Sequence, residues 1–432
     1  MSYKICMVSD YFHPNLGGVE SHIWAISCSL TQKGHTVVVL THMYEGYLGM
    51  REFENGIRAH YLPLKPFCDN NTLPTVFGAL PLIRDVLLEE QIQIVHCHSA
   101  FSSLAHEALL VGRLLQLKVV FTDHSLFGFA DASAIVMNKF LEISLAACDH
   151  CICVSHIGKE NMVLRAKYDK SEVSVIPNAF DASHFKPDPS QRDPSKITVV
   201  AISRLVYRKG IDLLVKVIPI ICEQFKEVQF LVGGDGPGML PLEEMVESHS
   251  LHSRVSLLGA LDKSGVQQAL VKGNVFLNTS LTEAFCIAIL EAAACGLHVV
   301  STKVGGIPEV LPDPLITLVE PTVEAIVSGL GKAIDLERQG FQRSLDDCYL
   351  KIRNAYSWER VVDKTCKVYE EVMNKPQYNI KEIFWRYYGT GPIAGKIFLL
   401  PVGAAYVLLR FLDWLRPRKD ILPVEVENSE AH

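Results

Sequence analysis

The sequence predicts an α/β protein built from two Rossmann-like domains, on three observations. Short β-type apolar runs alternate with helical patterns along most of the chain, the rhythm of a parallel sheet covered by helices. The rhythm stops at the Pro-, Asp- and Ser-rich "DASHFKPDPSQRDPSK" (181–196) and then restarts. A length of 432 residues is enough for two such domains and a tail.

In the first half, strands are expected at "YKICMVSD" (3–10), "TVVVLTH" (36–42), "IQIVHCH" (92–98), "KVVFTDH" (118–124), "HCICVS" (150–155) and "VSVIPN" (173–178). Helices are clearest over 19–33 and 100–116. In the second half, strands are expected at "ITVVAISR" (197–204), "VQFLVGG" (228–234), "RVSLLG" (254–259), "NVFLNTS" (274–280), "HVVSTKV" (298–304) and "ITLVE" (316–320). These runs set a first domain at 1–180, a linker at 181–196 and a second domain at 197–356. An amphipathic helix follows at 357–375.

A chain 49% hydrophobic and 21% charged is globular rather than disordered. Its net charge of −7 argues against general nucleic-acid binding, which needs a basic face. "MSYKICMVSD" reaches an aspartate too soon for a secretory signal peptide. The 12 cysteines are therefore expected as free thiols in a reducing compartment. "CDHCICVSH" (148–156) holds a C-x-x-C pair without a second copy, so Cys151 and Cys153 read as one face of a buried strand rather than as zinc ligands.

Ligands of open α/β sheets bind at the carboxyl ends of the strands, and the unusual residues fall there. "SLTEAFCIAILEAAACG" (280–296) carries Glu283 and Glu291 among small and apolar neighbours. Ser280 with Glu283 fits a capping box. Glu291 falls on a helix whose Ile287, Ile289, Leu290 and Ala292 read as core, where a carboxylate needs a polar partner. "SRLVYRKGID" (203–212) brings Arg204, Arg208 and Lys209 to a helix start, which suits a phosphate. A solvated basic turn explains them equally well. "GGDGPG" (233–238), with Gly234, admits close backbone approach or is only a tight turn. "HPNLGGVESH" (13–22) sets Gly17 and Gly18 before a helix, either a phosphate-binding nest or an ordinary helix start. "FTDHSLFGF" (121–129) ends a strand with Asp123 and His124, and a lone histidine is more often structural than catalytic.

Taken together, "NLGGVE", "SRLVYRKG" and the E-x7-E spacing from Glu283 to Glu291 resemble GT-B glycosyltransferases of the retaining family 4, over residues 3 to 375. "SLTEAFCIAILEAAACGL", "STKVGGIPEVLP", "FTDHSLFGFAD" and "SRLVYRKGIDLL" are similar to the branch of that family that transfers N-acetylglucosamine from UDP-GlcNAc to phosphatidylinositol, the first step of glycosylphosphatidylinositol-anchor synthesis. Many family members read E-G-F-G where this chain has Glu283-Ala284-Phe285-Cys286.

The resemblance implies two Rossmann-like domains facing a cleft, the first for the acceptor and the second for the UDP-sugar. It implies that Glu283 meets donor-sugar hydroxyls and Glu291 the ribose, while Arg204 and Lys209 neutralise the diphosphate. His124 would lie near the reacting sugar, Gly17 and Gly18 would border the cleft on the acceptor side, and Gly234 and Phe285 would contact substrate. No metal or other cofactor is expected. The partners implied are phosphatidylinositol, the lipid bilayer and further subunits of a membrane complex, at the endoplasmic reticulum with the catalytic domains facing the cytoplasm. The runner-up is another lipid-directed hexosyltransferase, such as a GDP-mannose-dependent mannosyltransferase, because "LLGALDKSG" (257–265) does not fix the base. An NAD-dependent oxidoreductase is disfavoured by the lack of a dinucleotide fingerprint after either first strand.

The strongest apolar stretch is "GPIAGKIFLLPVGAAYVLLRFLDWLRPRK" (391–419). Its uncharged run from Ile397 to Leu409 is short for a span and contains Pro401. A window from Ile393 to Leu412 supplies the ~20 residues required if Lys396 and Arg410 reach outward. Residues 391–415 are expected to form a membrane-anchoring helix that spans the bilayer or lies in its interface.

Overall fold

A computed structural model describes residues 2–421 except 16, 69, 74, 76–77, 127–131, 314 and 340–344. Residues 127–131 of "FTDHSLFGFAD" and residue 16 of "NLGGVE" therefore lie outside the described residues. The chain forms two compact units, Met1–Ile176 with Val361–His432, and Pro177–Arg360.

The strands of the first unit are β1 (Lys4–Val8), β2 (Thr36–His42), β3 (Gly49–Glu52), β4 (Arg58–Leu62), β5 (Pro66–Cys68), β6 (Asn71–Thr72), β7 (Ile94–His98), β8 (Lys118–Asp123), β9 (His150–Cys153) and β10 (Val173–Val175). Its helices are α1 (Gly18–Gln32), α2 (Ala79–Glu89), α3 (Ser103–Leu114), α4 (Ala132–Ser144) and α5 (His156–Arg165). Eight strands make one sheet in the order β10-β9-β8-β7-β1-β2-β4-β3, parallel except for the β3–β4 pair. Ile5, Cys6, Met7 and Val8 are fully buried in β1, because helices cover both faces of such a sheet and a continuous apolar run results. Cys151 and Cys153 are likewise buried in β9, and the eleven described cysteines are free.

The second unit holds β11 (Ile197–Ile202), β12 (Val228–Gly233), β13 (Val255–Gly259), β14 (Val275–Asn278), β15 (His298–Thr302) and β16 (Ile316–Val319). With them run α6 (Ile211–Gln224), α7 (Met239–Ser248), α8 (Lys263–Val271), α9 (Ile287–Ala294), α10 (Val323–Arg338) and α11 (Leu345–Ala355). The sheet is wholly parallel in the order β13-β12-β11-β14-β15-β16, with β11 registered from Ile197↔Val228 to Ile202↔Gly233.

Residues 181–196, expected as a linker, belong to the second unit. Their composition reflects three local turns: Asp181, Asp188 and Asp193 each accept a hydrogen bond from the backbone N–H two residues on, at Ser183, Ser190 and Ser195. Arg192 then donates to the Gly296 carbonyl at 3.1 Å, and Tyr349 Oη to that of Ala182 at 2.7 Å.

Helix α12 (Trp358–Asn374) buries Val361, Val362, Thr365, Val368, Tyr369 and Val372, one stripe at helical spacing. Its Tyr369 hydroxyl lies 2.7 Å from His96 Nδ1 of β7. The short α13 (Ile380–Tyr388) precedes α14 (Ala394–Leu415), whose 22 residues run through Pro401. By length and mean hydropathy (1.6) α14 can cross a membrane. It also packs on α13, α2 and α3 of its own unit through Gly395, Val402, Ala405 and Leu409, leaving Ile397, Leu400, Val407, Phe411 and Trp414 exposed. Its end is clamped: the buried Arg84 donates to Asp413 and to the Arg416 carbonyl, each at 2.9 Å.

Candidate functional site

In the second sheet the strand order reverses beside β11, between β12 and β14, the place where such sheets open a crevice for ligands. Past β11, Leu205 N–H donates to the Asp235 carbonyl and Gly238 N–H to the Leu205 carbonyl, both at 2.8 Å. Gly234 has φ +130°, and a Cβ there would stand 1.8 Å from the Ser203 carbonyl oxygen. The missing side chain of Gly234 thus admits the backbone of the neighbouring loop.

A second close approach builds the charged centre. Gly210, at φ +69°, would place a Cβ 1.9 Å from the Thr279 carbonyl oxygen. The Tyr207–Lys209 turn can therefore lie against the loop after β14. Thr279 Oγ1 donates to the Lys209 carbonyl, and Leu281 N–H to that of Arg208, both at 2.9 Å. These bonds deliver the Lys209 ammonium to the Glu283 carboxylate, and the two form a largely buried ion pair. The same carboxylate accepts from Ser280 Oγ at 2.9 Å, and the Glu283 carbonyl accepts from Gly306 N–H at 2.9 Å.

The expected capping box does not form. Helix α9 begins at Ile287 behind Cys286, so Ser280 and Glu283 lie in the preceding loop and only Glu291 stands on the helix. Tertiary bonds explain it: the Glu283 backbone is held by Gly306, its carboxylate by Lys209, and the Ser280 carbonyl accepts from Thr302 Oγ1.

Glu291 does stand on α9, beside the fully buried Ile289, Leu290 and Ala292. Burial pushes its carboxyl up to about 7, with Lys263 the opposing influence. A half-buried carboxyl kept from full ionisation is poised to exchange its environment for ligand hydroxyls. Phe285 is buried with its ring 5.9 Å from that of Tyr356. Arg204 and Arg208 are exposed, and Arg204 makes no ion pair among the described residues.

The first sheet reverses beside β1, between β2 and β7. The fully buried Asp10 organises this edge. One carboxylate oxygen accepts from Thr72 N–H and Oγ1 at 3.0 and 2.8 Å, the other from Ser102 Oγ and Leu104 N–H at 2.7 and 3.0 Å. Gly17 is the extended N-cap of α1, and Gly18 is its exposed first residue. A Cβ on Gly18 would meet nothing within 4 Å, whereas one on Gly17 would run into the Glu20 carboxylate, which lies against this helix start. One turn on, the His22 ring lies 4.8 Å from that of His124, which joins the start of α1 to the end of β8. His124 Nε2 lies 3.3 Å from His98 Nδ1.

The structure therefore pairs Lys209 with Glu283, and the first turns of α1 with His124. Lys263 beside Glu291, and His22 and His98 beside His124, were not singled out from sequence. The His-x-His alternation of β7, which puts His96 and His98 on one face, was the available signal.

Residues 42–131 match the family described as PIGA (GPI anchor biosynthesis), and residues 183–346 match Glycosyl transferases group 1. The chain is 48% identical over 417 residues to a phosphatidylinositol N-acetylglucosaminyltransferase subunit of Homo sapiens, covering 96% of this chain and 86% of that protein. The like-named protein of Arabidopsis thaliana is 48% identical over 97% of this chain and 93% of its own length. Among solved structures, sucrose-phosphate synthase from Thermosynechococcus elongatus superposes with a TM-score of 0.71 at 20% identity, over 86% of this chain and 99% of that one. HepE of Anabaena in complex with UDP gives 0.67 at 17% identity, over 85% and 100%. These two likenesses show the GT-B fold. The chain is a glycosyltransferase of that fold, and it belongs to the PIGA family of phosphatidylinositol N-acetylglucosaminyltransferase subunits.

Proposed function

We propose that this chain transfers N-acetylglucosamine from UDP-N-acetylglucosamine to phosphatidylinositol, with retention and without a metal. The observation that supports this most is the pairing of Lys209 with Glu283 at the carboxyl edge of the second sheet. The donor diphosphate competes with Glu283 for the Lys209 ammonium. Its arrival frees the carboxylate to accept hydrogen bonds from hexose hydroxyls, which are strong when the acceptor is charged and partly desolvated. Glu291 takes the ribose. Lys209 and Arg204 then stabilise the negative charge that builds on UDP. The bond from the anomeric carbon to the phosphate oxygen breaks, its electron pair leaving with UDP. The inositol oxygen bonds to that carbon from the same face, and its proton passes to the departing phosphate oxygen of UDP. His124 positions an acceptor hydroxyl, and Gly17 and Gly18 border the acceptor.

The apolar α14 supports membrane association, and we assign the chain to the cytoplasmic face of the endoplasmic reticulum membrane. The relatives are named as subunits, and we infer that this chain also works with further subunits.

The test is transfer by membranes containing the chain and its partner subunits, given labelled UDP-N-acetylglucosamine, UDP-glucose or GDP-mannose. Lipid label from UDP-N-acetylglucosamine, with an α linkage in the product, is expected. Label from GDP-mannose alone refutes the reading and selects the mannosyltransferase.

A further inference from the structure

The first unit gathers three imidazoles, of which the transfer chemistry uses only one. His22 of α1 and His98 of β7 are buried, and His124 just past β8 is half-buried. One ring nitrogen from each lies within 4.8 Å of the other two. The ring centroids are 4.8 Å (His22–His124), 5.6 Å (His98–His124) and 5.8 Å (His22–His98) apart.

Hydrogen bonding fixes the tautomers. Met7 Sδ stands 3.4 Å from His98 Nε2. A thioether can accept but not donate, so Nε2 carries the proton. His98 Nδ1 is then a bare lone pair, and His124 Nε2, 3.3 Å away, is its donor.

Two nitrogens on one tetrahedral ion, each about 2.0–2.1 Å from it, stand about 3.3–3.4 Å apart. The His98–His124 separation of 3.3 Å already has this value. The His22 nitrogen, within 4.8 Å of the other two, comes into range by a ring swing of up to about 1.5 Å, an adjustment set by the same bond lengths. Met7 still accepts from His98 Nε2–H when Nδ1 is bound, as an outer partner that fixes ring orientation.

We propose that His22, His98 and His124 form a three-imidazole site for a borderline divalent cation of the Zn2+ class, with its fourth position open to water. On binding, the proton on His124 Nε2 moves to Nδ1 of the same ring, so the number of protons on the protein is unchanged. Ligation through Nε2 leaves Nδ1 protonated, so the nitrogen that would accept from a substrate hydroxyl becomes a donor, and the loaded protein is inhibited. Only the inhibition rests on the role proposed above for His124; the site stands without it.

The test uses tag-free, full-length chain in detergent, titrated with Co2+ as the spectroscopic substitute for Zn2+. One Co2+ per chain with the visible absorption of a tetrahedral ion, displaced by Zn2+, is expected. His22→Ala and His124→Ala should each weaken binding at least about tenfold, the loss seen even for an outer-sphere partner. His252→Ala, at an exposed histidine outside the cluster, should leave binding unchanged. Circular dichroism matching the parent chain confirms that each variant is folded, and either cluster variant suffices if the other does not fold. No tetrahedral band at millimolar Co2+, or a band of undiminished affinity in a folded cluster variant, overturns the site. A tetrahedral band together with transfer unaffected by Zn2+ overturns the inhibition alone.

Discussion

The two sheets present opposite chemistry at equivalent places. At the reversal point of the second sheet stand an ammonium–carboxylate pair, Lys209 with Glu283, and a further carboxyl, Glu291. At the reversal point of the first sheet stand uncharged rings, His98 and His124, near the helix start at Gly18. The backbone scaffold of a parallel sheet dictates where a ligand can sit, and the residues after the strands dictate what it is. Fixed charge suits a leaving group that gains charge in the transition state. Neutral hydrogen-bonding groups suit a hydroxyl that must stay reactive.

The largest effect is expected at the charged edge. Glu283→Gln should lower turnover at least about 100-fold, or ~2.7 kcal/mol in the barrier. The melting temperature should stay within a few degrees. Unchanged kinetics in a folded variant would break the contrast between the two edges.

The glycines sharpen it next. Gly234→Ala forces a Cβ onto the Ser203 carbonyl at positive φ and should cost about 2–4 kcal/mol in urea unfolding. Gly18→Ala meets open space at a helix start. It should leave stability unchanged or slightly raised, while raising the KM for the lipid acceptor.

Glu291 supplies a pH test. Its carboxyl is raised from 4.5 to about 7, so between those values the folded chain binds a proton that the unfolded chain releases, and stability falls as pH rises. Glu291→Gln removes this penalty. Relative to the parent, it should gain about 1–3 kcal/mol at pH 8 and nothing at pH 4, at 1.36 kcal/mol per pKa unit. Calorimetry at both pH values checks this, and donor binding should weaken in the same variant. The smallest effect is Arg204→Lys, which keeps charge but loses the guanidinium fork. It should cost about tenfold in donor kcat/KM, or ~1.4 kcal/mol, with no change in stability because Arg204 is exposed.

Much of this was legible in the chain, and the failures have physical causes. The twelve strands read from sequence all form, most of them trimmed at their ends, because buried parallel strands need unbroken apolar runs. The edge strand β3, with four exposed residues, carries no such signal. The Ser280–Glu283 spacing matches a local helix cap, yet Lys209, 74 positions earlier, and Gly306 claim Glu283 instead. Local pattern reading has no access to such partners. The Asp-Ser turns of 181–196 imitate a linker because turn-forming side chains look alike whether the segment is packed or free. Individual roles at the site came from resemblance, since each short motif alone allowed a bland explanation.

The central claim is that Glu283 and Glu291 grip the two ends of one sugar nucleotide. A structure of the chain with intact UDP-N-acetylglucosamine tests it most directly. Glu283 is predicted within hydrogen-bonding distance of a hexose hydroxyl, and Glu291 within that distance of the ribose. A bound donor with both carboxyl groups turned away from it would contradict the claim.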